Sequence, residues 1–392
     1  MKEPFYNIKV KDKDIDIVEK LGITSFSFES STEKDNLVKL QGTISFKNTS
    51  ILDEQWLQKG TEIVYFFGYK GAAQSEVHRA VITEINVNFG LTISISIDCL
   101  DKGQYLKKGT NNKVWENVKA SDIVGSIAKN YDLETVIDTT DFTYISKPQG
   151  NMNDFDFIKK LSKESNKTFF ITDNTLHFKD RDLAKSSTVT YTYGNGDSKI
   201  KSFSPKLKGT DDKGVGSSAK VVGINNADNK EVSEVLDVQK TGKNDLGNVK
   251  GTFNYNKNGV ETYKGGVATV TNDVPEIEKK KLQNKVENEQ LNSLEATLTL
   301  EGEPKIKVTD IITMSGLPQK FVGNYYVSVV SHSISSSGYE TVVQLKKNAT
   351  NKTITNNQNK SADPNNKTIG ANAVKNEKVV KKVSYNANGK KK

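Results

Sequence analysis

The chain has 392 residues, only 34% of them hydrophobic, and its mean hydropathy of −0.59 is low for a compact globular protein. This length predicts about two to four domains. The single Cys99 excludes an intrachain disulfide and, together with only three histidines, a Cys/His-rich zinc module. The N-terminus has no apolar signal region and no apolar run reaches about 18 residues, so we expect neither a secretory signal nor a membrane span.

The net charge of +8 is concentrated at the C-terminal end. From Thr350 onward, ten lysines face only Asp363 and Glu377, which leaves residues 1–349 with 46 basic and 46 acidic side chains. The segment 348–392 is therefore predicted to be an extended tail rich in asparagine and lysine. Two interpretations stay open, a solubilising end and an arm that orders on an acidic neighbour. Specific nucleic-acid binding is not expected, because base stacking requires aromatic side chains among the lysines.

Residues 1–104 are predicted to form a first antiparallel β unit. Its sequence alternates between apolar and polar side chains; Ile93, Ile95 and Ile97, for example, share one face. Six short strands with one apolar face favour a small barrel or sandwich, which shortens or removes exposed edges. The predicted strands are Phe5–Val10, Thr24–Glu29, Leu37–Phe46, Ile63–Tyr69, Val77–Val87 and Leu91–Cys99.

Residues 105–187 are predicted to form a small α+β domain. Apolar side chains recur at helical spacing between Ala120 and Tyr131, and a second helix is expected shortly after position 150. A β-hairpin follows, because its central residues tolerate positive φ. The predicted features are an N-cap at Ser121 or Asp122, a helix start at Asn153 or Asp154, and a hairpin from Phe169 to Phe178 with its turn at Asp173-Asn174.

Residues 188–347 are predicted to form a second β unit. A polar loop interrupts it at 209–216, the segment 225–270 is interpreted as loops and edge hairpins, and a long helix at 273–292 is capped by Asp273 with Pro275 in its first turn. The predicted strands are Thr188–Tyr193, Lys220–Ile224, Ala296–Leu300, Ile311–Met314, Tyr325–Ser333 and Tyr339–Leu345. The predicted fold class is therefore mainly β with an α+β insertion: two similar antiparallel β-barrel domains, a small α+β domain and an extended basic C-terminal tail.

One stretch of the first β unit recurs in the second without a gap. Thr61-Glu62-Ile63-Val64 returns as Thr309-Asp310-Ile311-Ile312, and two glycines follow each copy at a constant separation (316 − 68 = 248). Reuse of glycine in unrelated β-hairpins is the alternative explanation. We favour an internal duplication, in which the repeated positions are Ile63, Gly68, Gly90, Ile311, Gly316 and Gly338.

The sequence predicts no catalytic, cofactor-binding or metal-binding residues. His78, His177 and His332 have no second ligand at metal-binding spacing, and Cys99 is expected to be a small core residue. The glycine pairs Gly194/Gly196 and Gly214/Gly216 lack the third glycine and the strand-to-helix context of a dinucleotide-binding loop.

The acidic pairs Asp154/Asp156 and Asp211/Asp212 are interpreted as a helix start and a solvated loop. A glycosidase dyad stays open, because the separation of two carboxylates is not readable from sequence. We nevertheless expect a non-enzymatic protein without cofactors.

Three segments share their order and spacing with a known family. The first is Val114–Val124, in which Ala-Ser-Asp-Ile-Val opens a helix, and the second is Asn153–Ser162, followed by the strand Thr175–Phe178. The third comprises Glu301-Gly302-Glu303-Pro304, Asp310-Ile311-Ile312, Gly316, Gly323–Val327, His332 and Gly338-Tyr339-Glu340. Together they resemble the hub proteins of contractile phage tails and related injection machines, the late-control D and T4 baseplate-hub type.

This resemblance implies a homotrimer whose two barrels per subunit form a ring of pseudo-sixfold shape. Such a ring joins a sixfold tail tube to a threefold central spike and initiates tube assembly. The implied partners are the tail tube protein, the spike protein and other baseplate proteins, with a tape-measure protein as a further candidate; the implied location is the virion tail baseplate. Two departures are that Val308-Thr309-Asp310 replaces the family's proline-glycine-aspartate turn, and that the lysine-rich tail has no counterpart.

Two rival functions remain at this point. A tail protein that binds or cleaves cell wall would hold glycan in the α+β block, where Trp115, Tyr131 and Tyr144 could form a sugar platform, although these aromatics fit a core better. A bacterial surface adhesin is disfavoured by the missing signal region.

Overall fold

The computed structural model describes residues 3–194, 199–207, 218–225, 230–237, 245–247, 249–250 and 275–351. Several predicted features lie outside these residues: the loop at 209–216 with its Asp211/Asp212 and Gly214/Gly216 pairs, most of 225–270, Asp273, and the basic tail beyond Asn351.

The first β unit contains six strands and one short helix. The strands are β1 (Pro4–Val10), β2 (Ile23–Ser31), β3 (Leu37–Ile44), β4 (Glu62–Tyr69), β5 (His78–Phe89) and β6 (Ile93–Leu100), and the helix is α1 (Ile17–Leu21). All six predicted strands are present; α1 was not predicted. The alternating side chains of these strands point inward and form one hydrophobic core, in which Phe26, Leu40, Ile63, Phe67 and Ile97 are buried.

The α+β domain has its own core. Its elements are β7 (Val114–Lys119), α2 (Ala120–Lys129), β8 (Glu134–Ile137), β9 (Thr143–Pro148), α3 (Asp154–Glu164), β10 (Lys167–Thr172) and β11 (Thr175–Asp180). Helix α3 begins as predicted, because the Asn153 side chain accepts from the Asp156 N–H at 2.8 Å, and Asp173 has a φ of 59° in the hairpin turn. The predicted cap of α2 is wrong: the N-cap position is Lys119 and makes no side-chain hydrogen bond. Instead, the Ser121 N–H donates to Thr140 Oγ1 at 3.4 Å.

The second β unit is assembled from strands on both sides of a long helix. Its elements are β12 (Val189–Thr192), β13 (Ile200–Leu207), β14 (Ser218–Asn225), β15 (Lys230–Asp237), β16 (Val249–Lys250), α4 (Pro275–Gln290), β17 (Leu294–Glu301), β18 (Ile311–Ser315), β19 (Gly323–Ser335), β20 (Gly338–Lys347) and β21 (Ala349–Thr350). A separate core lies inside it, with Leu298, Ile312, Tyr325, Val343 and Leu345 buried. Strand β13 was not predicted.

The two β units share a single sheet. Among the described residues its hydrogen-bonded order is β1-β4-β5-β6-β3-β2-β19-β20-β17-β13, with β18 also on β19 and β12 on β18. The predicted fold class, mainly β with an α+β insertion, is confirmed. The two units are therefore joined through main-chain pairing, in addition to the chain connection.

The buried Asn36 is one of the polar contacts between the α+β domain and the first β unit. Asn36 Nδ2 donates to the Ile171 carbonyl at 2.8 Å, while its own N–H donates to Asp101 Oδ2 at 3.0 Å. Asp101 is buried, and this burial raises the pKa of its carboxyl group to about 7.

Candidate assembly surface

Five strands of each β unit pair in the same order. The order is β4-β5-β6-β3-β2 in the first unit and β18-β19-β20-β17-β13 in the second, and every neighbouring pair is antiparallel. The sixth strand differs, because β1 runs antiparallel to β4 whereas β12 runs parallel to β18. The units thus share one five-stranded antiparallel order, which is the topology that an internal duplication predicts.

The two units also have β-bulges at equivalent places. One residue of β5, Thr83, and one residue of β19, Ser328, are left without an opposite residue, as in a β-bulge. The Thr83 hydroxyl donates to the Asp98 carbonyl at 2.9 Å, and the Ser328 hydroxyl donates to the Gln344 carbonyl at 3.1 Å. In both units, a hydroxyl side chain on the bulge therefore bonds the facing strand.

A second pair of bulges aligns the outermost strands. The register shifts at one residue of β2 between Ile23 and Ser25, and at one residue of β13 between Ile200 and Ser202. Beyond the bulge, Phe26 lies opposite Leu40 in the first unit and Phe203 lies opposite Leu298 in the second. The sequence Ile-x-Ser-Phe-Ser occurs at both places, starting at Ile23 and Ile200. This is the signal that could have revealed β13.

The constant separation of 248 residues is wrong in detail. The Ile82 N–H donates to the Thr61 carbonyl and the Val327 N–H donates to the Asp310 carbonyl, both at 2.9 Å, so Asp310 takes the place of Thr61. Ser328, however, takes the place of Thr83, and the separation has changed. Ile63 and Ile311 lie in the equivalent strands β4 and β18, but one position out of step.

The predicted repeat glycines lie at strand ends and hairpins. A Cβ at Gly68 would lie 2.4 Å from the Ala73 carbonyl oxygen, and one at Gly316 would lie 2.3 Å from that of Tyr193. Both residues also have positive φ, 148° and 71°, so only glycine fits without strain. Gly90 follows β5 and Gly338 opens β20; of these two, only Gly338 has a positive φ, 115°.

The two units meet where β2 pairs with β19. Six residue pairs form this junction, from Val329 opposite Ser31 to Ile334 opposite Phe26. The Thr32 N–H donates to the Ser328 carbonyl at 3.0 Å, and Ser331 Oγ donates to Glu29 Oε2 at 2.9 Å. At the end of the junction, Lys346 forms an ion pair with Glu33.

Aromatic side chains fill the core beneath the junction. The His332 ring lies 4.7 Å from the Phe67 ring and stacks on Phe28 with 6.1 Å between centroids. Its Nδ1 lies 2.9 Å from the Tyr339 hydroxyl. Because His332 is buried, its pKa falls to about 3, with a further lowering from His78. His332 is therefore a neutral residue of the inter-unit core.

The counterparts of the junction strands have free edges. In the described part of the chain, Glu84–Phe89 of β5 pairs only with β6, and β13 pairs only with β17. This part of β5 corresponds to Val329–Ile334 of β19, and β13 corresponds to β2. Phe89 stands in the place of Ile334 but is 67% exposed, whereas Ile334 is 3% exposed. The same position is thus covered in one unit and bare in the other.

The remaining candidate residues have structural surroundings. Cys99 is buried in the first core, where burial raises the pKa of its thiol. His78 Nδ1 lies 3.5 Å from Asp173 Oδ1, and His177 Nε2 lies 2.9 Å from Thr172 Oγ1, with a pKa lowered to about 4 by burial. No group of three or more His, Cys, Asp or Glu side chains suited to a metal ion occurs among the residues that the structure describes.

The suspected carboxylate dyad and sugar platform are parts of the α+β domain's framework. Asp154 accepts from the Tyr131 hydroxyl at 2.7 Å, from Gln149 Nε2 at 2.6 Å and from Asn111 Nδ2 at 2.9 Å. Tyr144 is fully buried and donates to Glu164 at 2.6 Å. Trp115 packs on the same core from a half-buried position. In the portion of the chain described, no helix is long and apolar enough for a membrane span.

The fold is shared with tail proteins of phages. The structure is similar to the 43 kDa tail protein of prophage MuSo2 from Shewanella oneidensis, with 13% identity, a TM-score of 0.62, and coverage of 88% of this chain and 98% of that one. A tail protein from Neisseria meningitidis MC58 gives 9% identity and a TM-score of 0.62, with 88% and 97% covered. Identities this low establish the fold alone.

A third solved structure extends the similarity beyond phages. The E. coli c3393 protein, a component of the type VI secretion system with structural similarity to the T4 tail proteins gp27 and gp5, is 10% identical. Its TM-score is 0.50, with 87% of this chain and 76% of that one covered. No curated protein matches the sequence. A family model described as the Alg8 N-terminal domain matches residues 6–336, and the chain belongs to that family.

Proposed function

We propose that this protein is the structural hub of a phage or phage-like tail, in which three copies form a ring of six similar β units. The ring joins a sixfold tail tube to a threefold central spike and serves as the platform on which tube assembly starts. The protein acts without enzymatic activity, in the baseplate of the particle. The shared fold with tail proteins and a type VI secretion component supports this assignment.

The single observation that carries the proposal is the β2–β19 junction. In this junction β2, the outermost strand of the first unit, pairs with β19, the second of the five strands of the other unit. In the described residues, the strands that correspond to β2 and β19, namely β13 and the end of β5, each have one edge without a neighbouring strand. A second copy that repeats the junction would place its β5 edge on β13. Because each copy would then offer one edge and receive one, the contact is heterologous and generates a ring if its rotation closes.

The side chains at this predicted seam are complementary. Transfer of the β2–β19 register places Phe89 opposite Phe203, Val87 opposite Pro205, and Ile85 opposite Leu207 of the next copy. Phe89 and Leu207 are both exposed in the single chain. Aromatic and aliphatic cross-strand pairs stabilise neighbouring strands by about 0.2–1 kcal/mol each. The seam would therefore cover apolar surface that the single chain leaves in water.

Pro205 makes the seam weaker than the internal junction. Because Thr32 donates its N–H to β19, alternate residues of β2, including Phe28, turn their main-chain groups to β19. Pro205 has the place of Phe28 and lacks an N–H, so one main-chain hydrogen bond is missing at the seam. Proline on an edge strand also disfavours pairing with unrelated strands. The seam would thus rely on side-chain fit as well as main-chain pairing.

The test is the mass of the assembly in solution. Native mass spectrometry and light scattering should give three chain masses for the full chain, and Phe89→Asp should shift the protein to single chains. Leu91→Asp is the matched control, because Leu91 is 98% exposed beyond the end of β5 and should not change the mass. A chain that stays single at every concentration, or a trimer that survives Phe89→Asp, would contradict the seam.

Function is tested separately by co-assembly with tail tube protein. We expect the trimer to nucleate tubes of uniform diameter that carry the hub at one end when viewed by electron microscopy. Retention of the chain on peptidoglycan, or release of soluble fragments from it, would instead favour the cell-wall function.

A further inference from the structure

A cavity of about 730 Å³ lies where α3 and β10 of the α+β domain meet α4 and the second β unit. Its walls carry six basic side chains against two carboxylates. These are Lys159, Lys163, Lys167, Arg181, Lys281 and Lys346, with Glu33 and Glu164. Its volume falls in the range of small-molecule sites. No function considered above uses it.

Part of this positive charge is already neutralised by protein groups. Lys346 pairs with Glu33, and Lys167 Nζ lies 2.9 Å from Asp180 Oδ2. Arg181 differs, because its Nη1 donates to the neutral Asn166 Oδ1 at 2.8 Å, and no carboxylate among the described residues lies within ion-pair distance of its guanidinium. Burial lowers the pKa of Arg181, although Tyr326 and nearby acids oppose the effect. The guanidinium thus lacks a close anionic partner.

Two buried hydroxyl groups in the same wall, which approach each other, form no hydrogen bond of good geometry. Thr168 is 4% exposed and Tyr326 is 2% exposed, and neither Thr168 Oγ1 nor the Tyr326 hydroxyl completes a hydrogen bond within the described structure. Tyr326 and Arg181 line the same cavity. A buried unsatisfied hydroxyl destabilises the folded protein. Because these two hydroxyls lie in the same wall as the Arg181 guanidinium, a bound ligand could accept hydrogen bonds from all three groups.

Three apolar side chains also line the cavity. Phe155 and Phe169 contact each other with 5.1 Å between ring centroids, and Leu291 lines the cavity from beyond the end of α4. A ligand that satisfies both regions carries negatively charged oxygens at one end and an apolar body at the other.

We propose that this cavity binds a small ligand that carries a carboxylate or a phosphate on an apolar body, with Arg181, Thr168 and Tyr326 as the donors to its oxygens. The guanidinium provides charge and directed N–H groups. The two hydroxyls donate to the same anionic group, and the phenylalanine rings contact the apolar body.

Calorimetric titration of the full chain, in low-salt buffer free of phosphate, tests the site. Hexanoate and hexyl phosphate are the probes, since they distinguish the two anions on one body, and hexanol is the uncharged control. We expect saturable binding of at least one anion and none of hexanol. Absence of binding by both anions, or equal binding of hexanol, would overturn the proposal.

Isosteric variants identify the donors. Tyr326→Phe and Thr168→Val should each weaken binding about tenfold, and Arg181→Gln by about 30-fold or more, because hydrogen bonds to charged groups are the stronger ones. Tyr193→Phe and Arg79→Gln, which change residues outside the cavity wall, should leave affinity unchanged.

Unfolding of the unliganded variants distinguishes a ligand site from water-filled packing. In a ligand site, Tyr326→Phe removes an unsatisfied group, and the midpoint of thermal unfolding should stay the same or rise. A fall in the midpoint together with unchanged anion affinity would show that the hydroxyl has only a structural role, which would contradict the assignment.

Discussion

The two β units differ less in their strands than in what covers them. Five strands pair in the same order, with bulges at the same places, yet β19 is covered by β2 while the matching stretch of β5 has no second neighbour in the described chain. Equivalent residues therefore have unequal surroundings, as Ile334 and Phe89 show. The same strand order therefore gives either a buried junction or an exposed edge, depending on whether a further strand pairs there.

The largest expected effect separates the two matching phenylalanines. Phe26→Ala should lower the free energy of unfolding by about 3–5 kcal/mol, because Phe26 is 1% exposed beneath the junction. Phe203→Ala should have a clearly smaller effect in the dissociated chain, because Phe203 is only partly buried at the free edge. Urea unfolding of both variants, at concentrations where the protein is a single chain, measures the difference. Equal losses would show that the junction adds no protection.

His332 should make the second unit sensitive to acid. Its folded pKa of about 3 lies below its ordinary value of 6.5, so between these values the unfolded chain binds more protons. Stability should therefore fall as pH drops from 6.5 towards 3, by at most about 1.4 kcal/mol per pH unit. His332→Gln should flatten this slope in thermal unfolding measured at several pH values.

Two other groups must be considered in that measurement. His177, with a pKa lowered to about 4, acts in the same direction. Asp101, with a pKa raised to about 7, acts in the opposite direction, because its protonated folded form loses stability as pH rises. The informative quantity is thus the difference between His332→Gln and the unaltered chain, and an unchanged slope would refute the role of His332.

A backbone position distinguishes the units more subtly. Thr309 has a φ of 71° where the first unit has Gly60, with a φ of 97°. Because a β-branched residue is strained in this conformation, Thr309→Gly should be neutral or stabilise by up to about 1 kcal/mol. Gly60→Thr should destabilise by about 1–2 kcal/mol. Thermal unfolding of the two reciprocal variants checks both signs, and a destabilised Thr309→Gly would show that the threonine side chain compensates for its strain.

The smallest expected effects concern the bulge hydroxyls. Thr83→Val and Ser328→Ala each remove one hydrogen bond to the facing strand, for a loss of about 1 kcal/mol. Ser328→Ala should have the larger effect, since Ser328 is 1% exposed and the bond it makes lies in the interior. Denaturant midpoints of the two variants measure these losses of stability. Similar losses would support the equivalence of Thr83 and Ser328, and a loss in only one variant would contradict it.

Sequence reasoning identified most strands because their apolar and polar side chains alternate clearly, as in β6. It missed β13, because Lys201, Pro205 and Lys206 conceal an edge strand whose apolar residues face only one neighbour. It also aligned the two copies of the repeat without gaps. The one-residue offset between Ile63 and Ile311 depends on turn lengths and bulges, which only the strand pairing of the folded protein reveals. The cavity was not predictable, because α4 and β19 are distant in the chain from the adjacent α3 and β10, and these elements meet only in the folded protein.

The two units differ in direction only at the sixth strand, because β1 runs antiparallel to β4 whereas β12 runs parallel to β18. A molecule that docks along the five common strands would encounter the same strand order and the same strand directions at each unit. A molecule that docks along the sixth strand would encounter reversed polarity at every second unit. In a closed ring of three copies, this alternation would fix the rotational phase of any attached layer, because turning that layer by one unit would present it with a strand of the wrong direction.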